Sequence, residues 1–240
     1  MLAARMYNKN DIRVEEVPTP VIGEDEILLR VKAAAICGTD VRMVNNGYKG
    51  ISPETPRILG HELSGIIERV GSRVTAYRPG QRVAVAPNMG CGVCADCVAG
   101  NTHLCRTYEA LGINLDGGFA EYVAIPAKAV AQGNVTLLED GVSFEEAAIN
   151  EARSCVCNGF ERCDIRPGDD VLIIGAGPIG IMHGMLARMA GAGRVYINDL
   201  SVERLATCKA IDPAFLTVEG DIEEVIARDT RGEGVQVCIT

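Results

Sequence analysis

Val171-Leu172-Ile173-Ile174-Gly175-Ala176-Gly177-Pro178-Ile179-Gly180 sets an apolar run directly against three glycines spaced as G-x-G-x-x-G. Four uncharged aliphatic side chains in a row read as a buried strand, and the apolar stretch Pro178–Ala190 reads as the helix after it. Glycines at these positions allow a tight turn and let the backbone approach a pyrophosphate. They also let the helix pack against the strand, with its N-terminus facing the phosphates. Gly175, Gly177, Pro178, Ile179 and Gly180 therefore form a candidate cofactor loop. Asp199 ends the next strand, nineteen residues past Gly180. A carboxylate there accepts hydrogen bonds from an adenosine ribose and repels a 2′-phosphate, which favours NAD over NADP. Arg204 complicates that choice, because it could partly compensate such a phosphate. Asp199 also has a reading as a helix N-cap, although Ser201 serves as that cap at least as well.

Downstream of the loop, strands and helices alternate: Val195–Asn198, Val202–Ala210, Phe215–Val218, Ile222–Arg228 and Val235–Thr240. That rhythm predicts βαβ units on a parallel sheet. Upstream of residue 143 the pattern is different. Ile12, Val14 and Val17 read as one strand and Ile27, Leu29, Val31 and Ala33 as another. Val83–Ala86 and Phe119–Ile125 follow, with Gly/Pro turns between them, which suggests a compact β-rich barrel. Ser143 and Glu146 have capping-box spacing at a helix start. The expected division is 1–153 for the β-rich part and 154–240 for the α/β part.

Two groups of metal-ligand side chains lie in the β-rich part. Cys91, Cys94, Cys97 and Cys105 give C-x2-C-x2-C-x7-C within a lobe of about residues 88–108. Four thiolates close a tetrahedral shell, so a zinc ion held there is structural. An iron–sulfur cluster is the competing reading, but the fourth cysteine is displaced and lacks the proline that follows it in ferredoxin spacing. His103 lies inside the loop and reads as a surface residue. The second group is looser. Ile36-Cys37-Gly38-Thr39-Asp40 follows a strand-like run, Gly60-His61-Glu62 comes later, and Glu151 lies far downstream. Cys, His and carboxylate make a mixed donor set that suits zinc, and three protein ligands leave a fourth position for water or substrate. Cys155, Cys157, Cys163, Cys208 and Cys238 show no ligand spacing and read as buried thiols; His183 reads as a packing residue.

Composition limits the partners. With 32 acidic and 23 basic residues, the net charge is −9. That balance argues against a nucleic-acid or anionic-membrane surface. The chain has no Trp, and aromatics make up 4% of it, so no stacking platform is expected. No apolar run reaches the ~18 residues of a spanning helix. The N-terminus has no signal-like segment, and the ten cysteines of such a chain read as metal ligands or buried thiols rather than as disulfides. A cytoplasmic protein is expected.

Taken together, these stretches resemble the zinc-containing medium-chain alcohol and polyol dehydrogenases, in particular the threonine and sorbitol dehydrogenase branches. Cys37-Gly38-Thr39-Asp40, Gly60-His61-Glu62, the four cysteines, Gly117-Gly118-Phe119-Ala120-Glu121-Tyr122 and the Gly175–Gly180 loop with Asp199 occur in the family's order. The resemblance implies a GroES-like β-barrel catalytic domain followed by a Rossmann domain, with an alcohol or polyol substrate in the cleft between them. It implies Cys37 and His61 as catalytic-zinc ligands, with Glu62 or Glu151 as the carboxylate that binds directly or through water. It further implies that Thr39 relays the alcohol proton, that Asp40 orients His61, and that the protein is a homo-oligomer, dimer or tetramer.

Three departures from the family pattern stand out. Arg42 occupies a position where many relatives carry His to extend the proton relay. Ala152-Arg153 follow Glu151 where many have Pro. Both arginines raise the expectation of an anionic substrate such as a sugar or polyol phosphate, against a reading of both as surface or interdomain residues. The third departure is length: relatives run on, so the Rossmann sheet is expected to be incomplete at the C-terminus, with Val235–Ile239 as an apolar edge. Either the chain is a fragment without activity of its own, or a partner covers that edge. Two other functions remain open: a zinc-independent quinone or enoyl reductase of similar architecture, and a non-catalytic module.

Overall fold

The structure, a computed structural model, describes all 240 residues. The chain folds as two compact units, Met1–Glu151 and Ala152–Thr240; the sequence reading put the division at residue 153. The first unit opens with the hairpin β1 (Leu2–Asn8) and β2 (Asp11–Glu16), then β3 (Ile27–Ala35), helix α1 (Gly38–Asn46), the short β4 (Arg57–Ile58) and the long β5 (Glu62–Val70). It continues with β6 (Arg82–Val85), β7 (Asn88–Met89), the one-turn α2 (Ala95–Val98), β8 (Glu109–Ala110), β9 (Tyr122–Ile125), α3 (Ala127–Ala131), β10 (Val135–Leu137) and α4 (Phe144–Ala148). Helix α5 (Asn150–Phe160) spans the division. The second unit holds β11 (Asp170–Ile174), α6 (Pro178–Met189), β12 (Arg194–Asn198), α7 (Val202–Ile211), β13 (Leu216–Val218), α8 (Ile222–Asp229) and β14 (Val237–Ile239). No helix is long and apolar enough to cross a membrane.

In the first unit an antiparallel sheet runs β10-β6-β5-β3-β9. Each strand turns alternate residues inward: Ile27 and Leu29, Leu63 and Ile67, Val83 and Val85, Val123 and Ile125, and Val135 share one core. Period-2 alternation feeding a common core from five strands is the barrel pattern expected from the sequence. A smaller sheet, β2-β1-β4, joins it through a bridge between Ala3 and Ala120. Met6, Met43 and Leu59 form a second small core that anchors α1.

The strand expected from Phe119 begins at Tyr122 instead. The backbone amides of Gly117, Gly118 and Phe119 donate to the carbonyls of Ile58, Gly60 and Leu59, so they are not available for the ladder. Ser143 caps α4 as expected: its hydroxyl accepts from the Glu146 N–H, and the Glu146 carboxylate accepts from the Ser143 N–H in return.

The second unit carries a parallel sheet ordered β13-β12-β11-β14. Val171, Ile173, Val195 and Ile197 face α6 and α7, while Leu172 and Tyr196 face α8. Helices thus cover both faces, as a parallel sheet requires, and the order reverses direction beside β11. β14 pairs with β11 alone. The reading of five scattered cysteines as buried thiols holds for Cys208 only. Cys155, Cys157 and Cys238 are exposed and Cys163 is half-buried. On α5 the buried residue is Val156, between the two cysteines. On β14 the alternate residues Val237 and Ile239 pack inward and leave Cys238 outward.

Candidate metal centres and cofactor loop

Strand register brings the first group together. Ala35, the last residue of β3, pairs with Glu62, the first residue of β5, so Cys37 lies just past the ladder beside His61 and Glu62. Cys37 is also the N-cap of α1. Asp40, three residues on, turns back so that its Oδ2 accepts from the Cys37 N–H at 2.9 Å, while its Oδ1 accepts from the Gly60 N–H at 3.3 Å. Gly60 has φ +90°, and a Cβ there would lie 2.5 Å from the Phe119 ring. Only glycine makes that turn against that ring.

Sγ of Cys37, a ring nitrogen of His61 and a carboxylate oxygen of Glu62 lie within 4.8 Å of one another. His61 and Glu62 are buried, and so is Asp40 at 3% exposure. The Nδ1 edge of His61 faces Asp40 Oδ1 at 3.7 Å, beyond hydrogen-bonding distance, and Nδ1 has no other partner. That orientation leaves Nε2 for an ion, with Asp40 behind the ring. Burial pushes the Glu62 carboxyl above the usual carboxylate range, against the Cys37 thiol that donates to it; the charges of Glu151 and Asp40 add to the rise. Burial likewise raises the Cys37 thiol, against hydrogen bonds from the Thr39 backbone and hydroxyl. A desolvated thiol and a desolvated carboxyl in contact are groups that a divalent cation would ionise together, so the donor set fits one zinc ion.

The remaining expected residues divide. Thr39 touches Cys37 through its hydroxyl, and Arg42 Nη2 donates to Thr39 Oγ1 at 3.1 Å on the exposed face of α1. Glu151 is not part of the converging trio, although its charge is felt at Glu62.

The ligating atoms of Cys91, Cys94, Cys97 and Cys105 also lie within 4.8 Å of one another, with the Cys91 and Cys97 sulfurs 3.9 Å apart. A tetrahedron with Zn–S bonds of about 2.3 Å has an edge of about 3.8 Å, so the spacing fits a single ion and leaves no room for a multi-iron cluster. The thiols titrate apart. The Thr107 hydroxyl and the Cys91 N–H pull Cys105 down to about 6. The Gly92 N–H acts to lower Cys97, but burial and the neighbouring thiols outweigh it and push Cys97 up to about 11. Crowded sulfurs that resist full ionisation in this way are what a cation resolves. His103 is exposed, as expected.

In the second unit, Gly180 packs so closely that a Cβ would lie 1.8 Å from the Gly175 carbonyl oxygen. Ser201, not Asp199, caps α7. Asp199 instead accepts from the Ala176 N–H through Oδ2 and from the Ser201 N–H through Oδ1, both at 2.8 Å, and these bonds hold it below the usual carboxylate range. Arg204 Nη1 stands 3.6 Å from Oδ2. Gly175, Gly177, Ile179, Asp199, Arg204 and Thr240 help to line a cavity of about 290 Å³ at the carboxyl ends of β11 and β14. That is the place where open α/β sheets bind ligands. His183 also reaches this cavity. It is buried, its Nδ1 is unpartnered, and burial lowers its pKa; a solitary histidine in an apolar helix carries no spacing signal that would reveal this. A larger cavity of about 520 Å³ in the first unit, beside Pro18, Arg57 and Val123, touches none of the expected site residues.

A family model described as the alcohol dehydrogenase GroES-like domain matches residues 23–135. The chain is 37% identical to the sorbitol dehydrogenase of Bacillus subtilis (strain 168), an alignment covering 99% of this chain and 67% of that protein. It is 39% identical to the L-threonine 3-dehydrogenase of Rhizobium etli (strain CIAT 652), covering 85% of this chain and 59% of the relative. Among solved structures, a zinc-binding dehydrogenase of Sinorhizobium meliloti 1021 bound to NADP superposes with a TM-score of 0.88 at 34% identity. That match covers 99% of this chain and 68% of the other.

Proposed function

The chain belongs to the family of zinc-containing medium-chain alcohol and polyol dehydrogenases, and from that membership we propose that it transfers a hydride between the carbinol carbon of an alcohol or polyol and NAD. The observation that carries the proposal is the convergence of Cys37, His61 and Glu62 at the end of the β3–β5 ladder. The chemistry that zinc and a nicotinamide supply when bound is Lewis-acid polarisation of the substrate oxygen and acceptance of a hydride.

Each of the chain's own residues has a role in this scheme. Cys37, His61 and Glu62 hold the catalytic zinc, with Glu151 as the nearby second carboxylate. Asp40 stands behind the His61 ring and fixes the Cys37 and Gly60 backbone through their N–H groups. Thr39 Oγ1 would relay the alcohol proton outward, accepting it as its own hydroxyl proton passes to solvent. Cys91, Cys94, Cys97 and Cys105 hold a structural zinc. The glycine loop receives the pyrophosphate. Asp199, anchored by the loop's own Ala176 N–H, receives the ribose diol and favours NAD over NADP. None of the ten cysteines is joined in a disulfide, which suits a reducing, cytoplasmic setting.

The test is a screen of alcohols, polyols and 3-hydroxy amino acids, following NADH absorbance with NAD and with NADP. The expected result is zinc-dependent oxidation with NAD preferred. No oxidation of any alcohol, together with NADPH-dependent reduction of quinones or enoyl compounds, would mean the zinc-independent reductase instead.

A further inference from the structure

The candidate catalytic group carries one cation whose role the hydride-transfer scheme leaves open. Arg42 donates from Nη2 to Thr39 Oγ1 at 3.1 Å, and no carboxylate pairs with it. Asp40, on the same turn of α1, is buried and already engaged by the Cys37 and Gly60 N–H groups, so it does not neutralise the guanidinium. Thr39 in turn donates to Cys37. Arg42 is thus an exposed, unneutralised cation one hydroxyl away from a proposed metal ligand.

Its chemistry rules out one role. A guanidinium has five donors and no acceptor, and it keeps its proton at any pH the fold survives. It therefore cannot take a proton from Thr39 and pass it on, as an imidazole could. What a fixed guanidinium does well is bind a planar or tetrahedral oxyanion through paired N–H donors. One Nη of Arg42 is engaged by Thr39, which pins the fork, and the remaining N–H groups are available for a ligand.

We propose that Arg42 is a specificity-determining residue that binds an oxyanion on the substrate, so that the preferred substrate is an alcohol bearing a phosphate or a carboxylate. The assignment rests on the dehydrogenase reading above for the words "substrate" and "preferred"; the anion site itself rests on Arg42 alone.

The experiment has a binding arm and a kinetic arm. In the first, inorganic phosphate is titrated into the zinc-loaded protein by calorimetry, with wild type, Arg42→Ala and Arg42→Lys. The expected result is a loss of at least ~10-fold in affinity for Arg42→Ala and partial recovery for Arg42→Lys, which keeps the charge and loses the fork. Equal phosphate affinity in all three would overturn the proposal whether or not any alcohol is oxidised. In the second arm, KM is compared for sorbitol against sorbitol 6-phosphate, and for butane-2,3-diol against threonine. Arg42→Ala should raise KM for one charged member at least ~10-fold more than for its neutral counterpart. The charged pair that responds tells phosphate from carboxylate. Loss of the Thr39 hydrogen bond alone would lower kcat for every alcohol alike and leave the KM ratios unmoved, which would also overturn the proposal while the dehydrogenase reading stands.

Discussion

Asp40 illustrates how much one buried carboxylate can organise. Its two oxygens accept from the Cys37 and Gly60 amides, which stand on either side of the trio, and its Oδ1 faces the His61 ring. Replacing it by alanine removes two charge-assisted hydrogen bonds in a buried site and leaves two N–H groups without a partner. Asp40→Ala is expected to lose about 2–4 kcal/mol in urea unfolding and a large part of its catalytic-site zinc by metal analysis. Normal zinc content in a destabilised variant would separate the two roles and reject the second. The residue types of this site were readable in the sequence because Cys, His and carboxylate are chemically specific. Which carboxylate converges with Cys37 and His61 was not, since that depends on the β3–β5 register, which brings Glu62 beside them. Asp199 was similarly half-legible. Its place after a strand was visible, but its bond to Ala176, twenty-three residues earlier, exists only in the folded sheet.

At the scale of elements, the pieces with a strong local code were legible and the pieces fixed by distant backbone were not. The Ser143 capping box and the helix after the glycine loop depend on near neighbours, and both form. The Phe119 stretch alternates like a strand, yet its first residues are drawn to the Ile58–Gly60 carbonyls, which no local pattern announces. The exposure of Cys155 and Cys157 follows from which face of α5 packs, and a short polar helix leaves that face undetermined. The cysteine lobe between β7 and β8 is a case where sequence spacing and folding coincide. It has one turn of helix, a 3-10 turn and no buried apolar side chain of its own besides Cys105. An ion is therefore expected to supply most of its order. Cys97→Ser should lower stability by about 4 kcal/mol or more, which in a chain of this size is a fall in Tm of about 8–16 °C. It should also open the loop to trypsin at Arg106. An unchanged Tm with unchanged zinc content would show that the lobe holds itself together.

For the whole molecule, the change from period-2 alternation to a strand–helix rhythm near residue 143 was the most legible signal in the chain, because it depends on many residues at once. It corresponds to an antiparallel barrel-like sheet in one unit and a parallel sheet covered on both faces in the other. Each unit contributes one half of the proposed chemistry, the first a metal trio and the second a dinucleotide loop. The trio is the half on which the reaction class depends. Zinc per chain, measured by mass spectrometry of the purified protein and of a Cys37→Ser/His61→Ala variant that keeps the four-cysteine lobe intact, tests it most directly. The expected result is about two zinc ions per chain in the wild type and about one in the variant, with alcohol oxidation lost alongside the second ion. About one ion in both proteins would contradict a catalytic zinc at Cys37, His61 and Glu62.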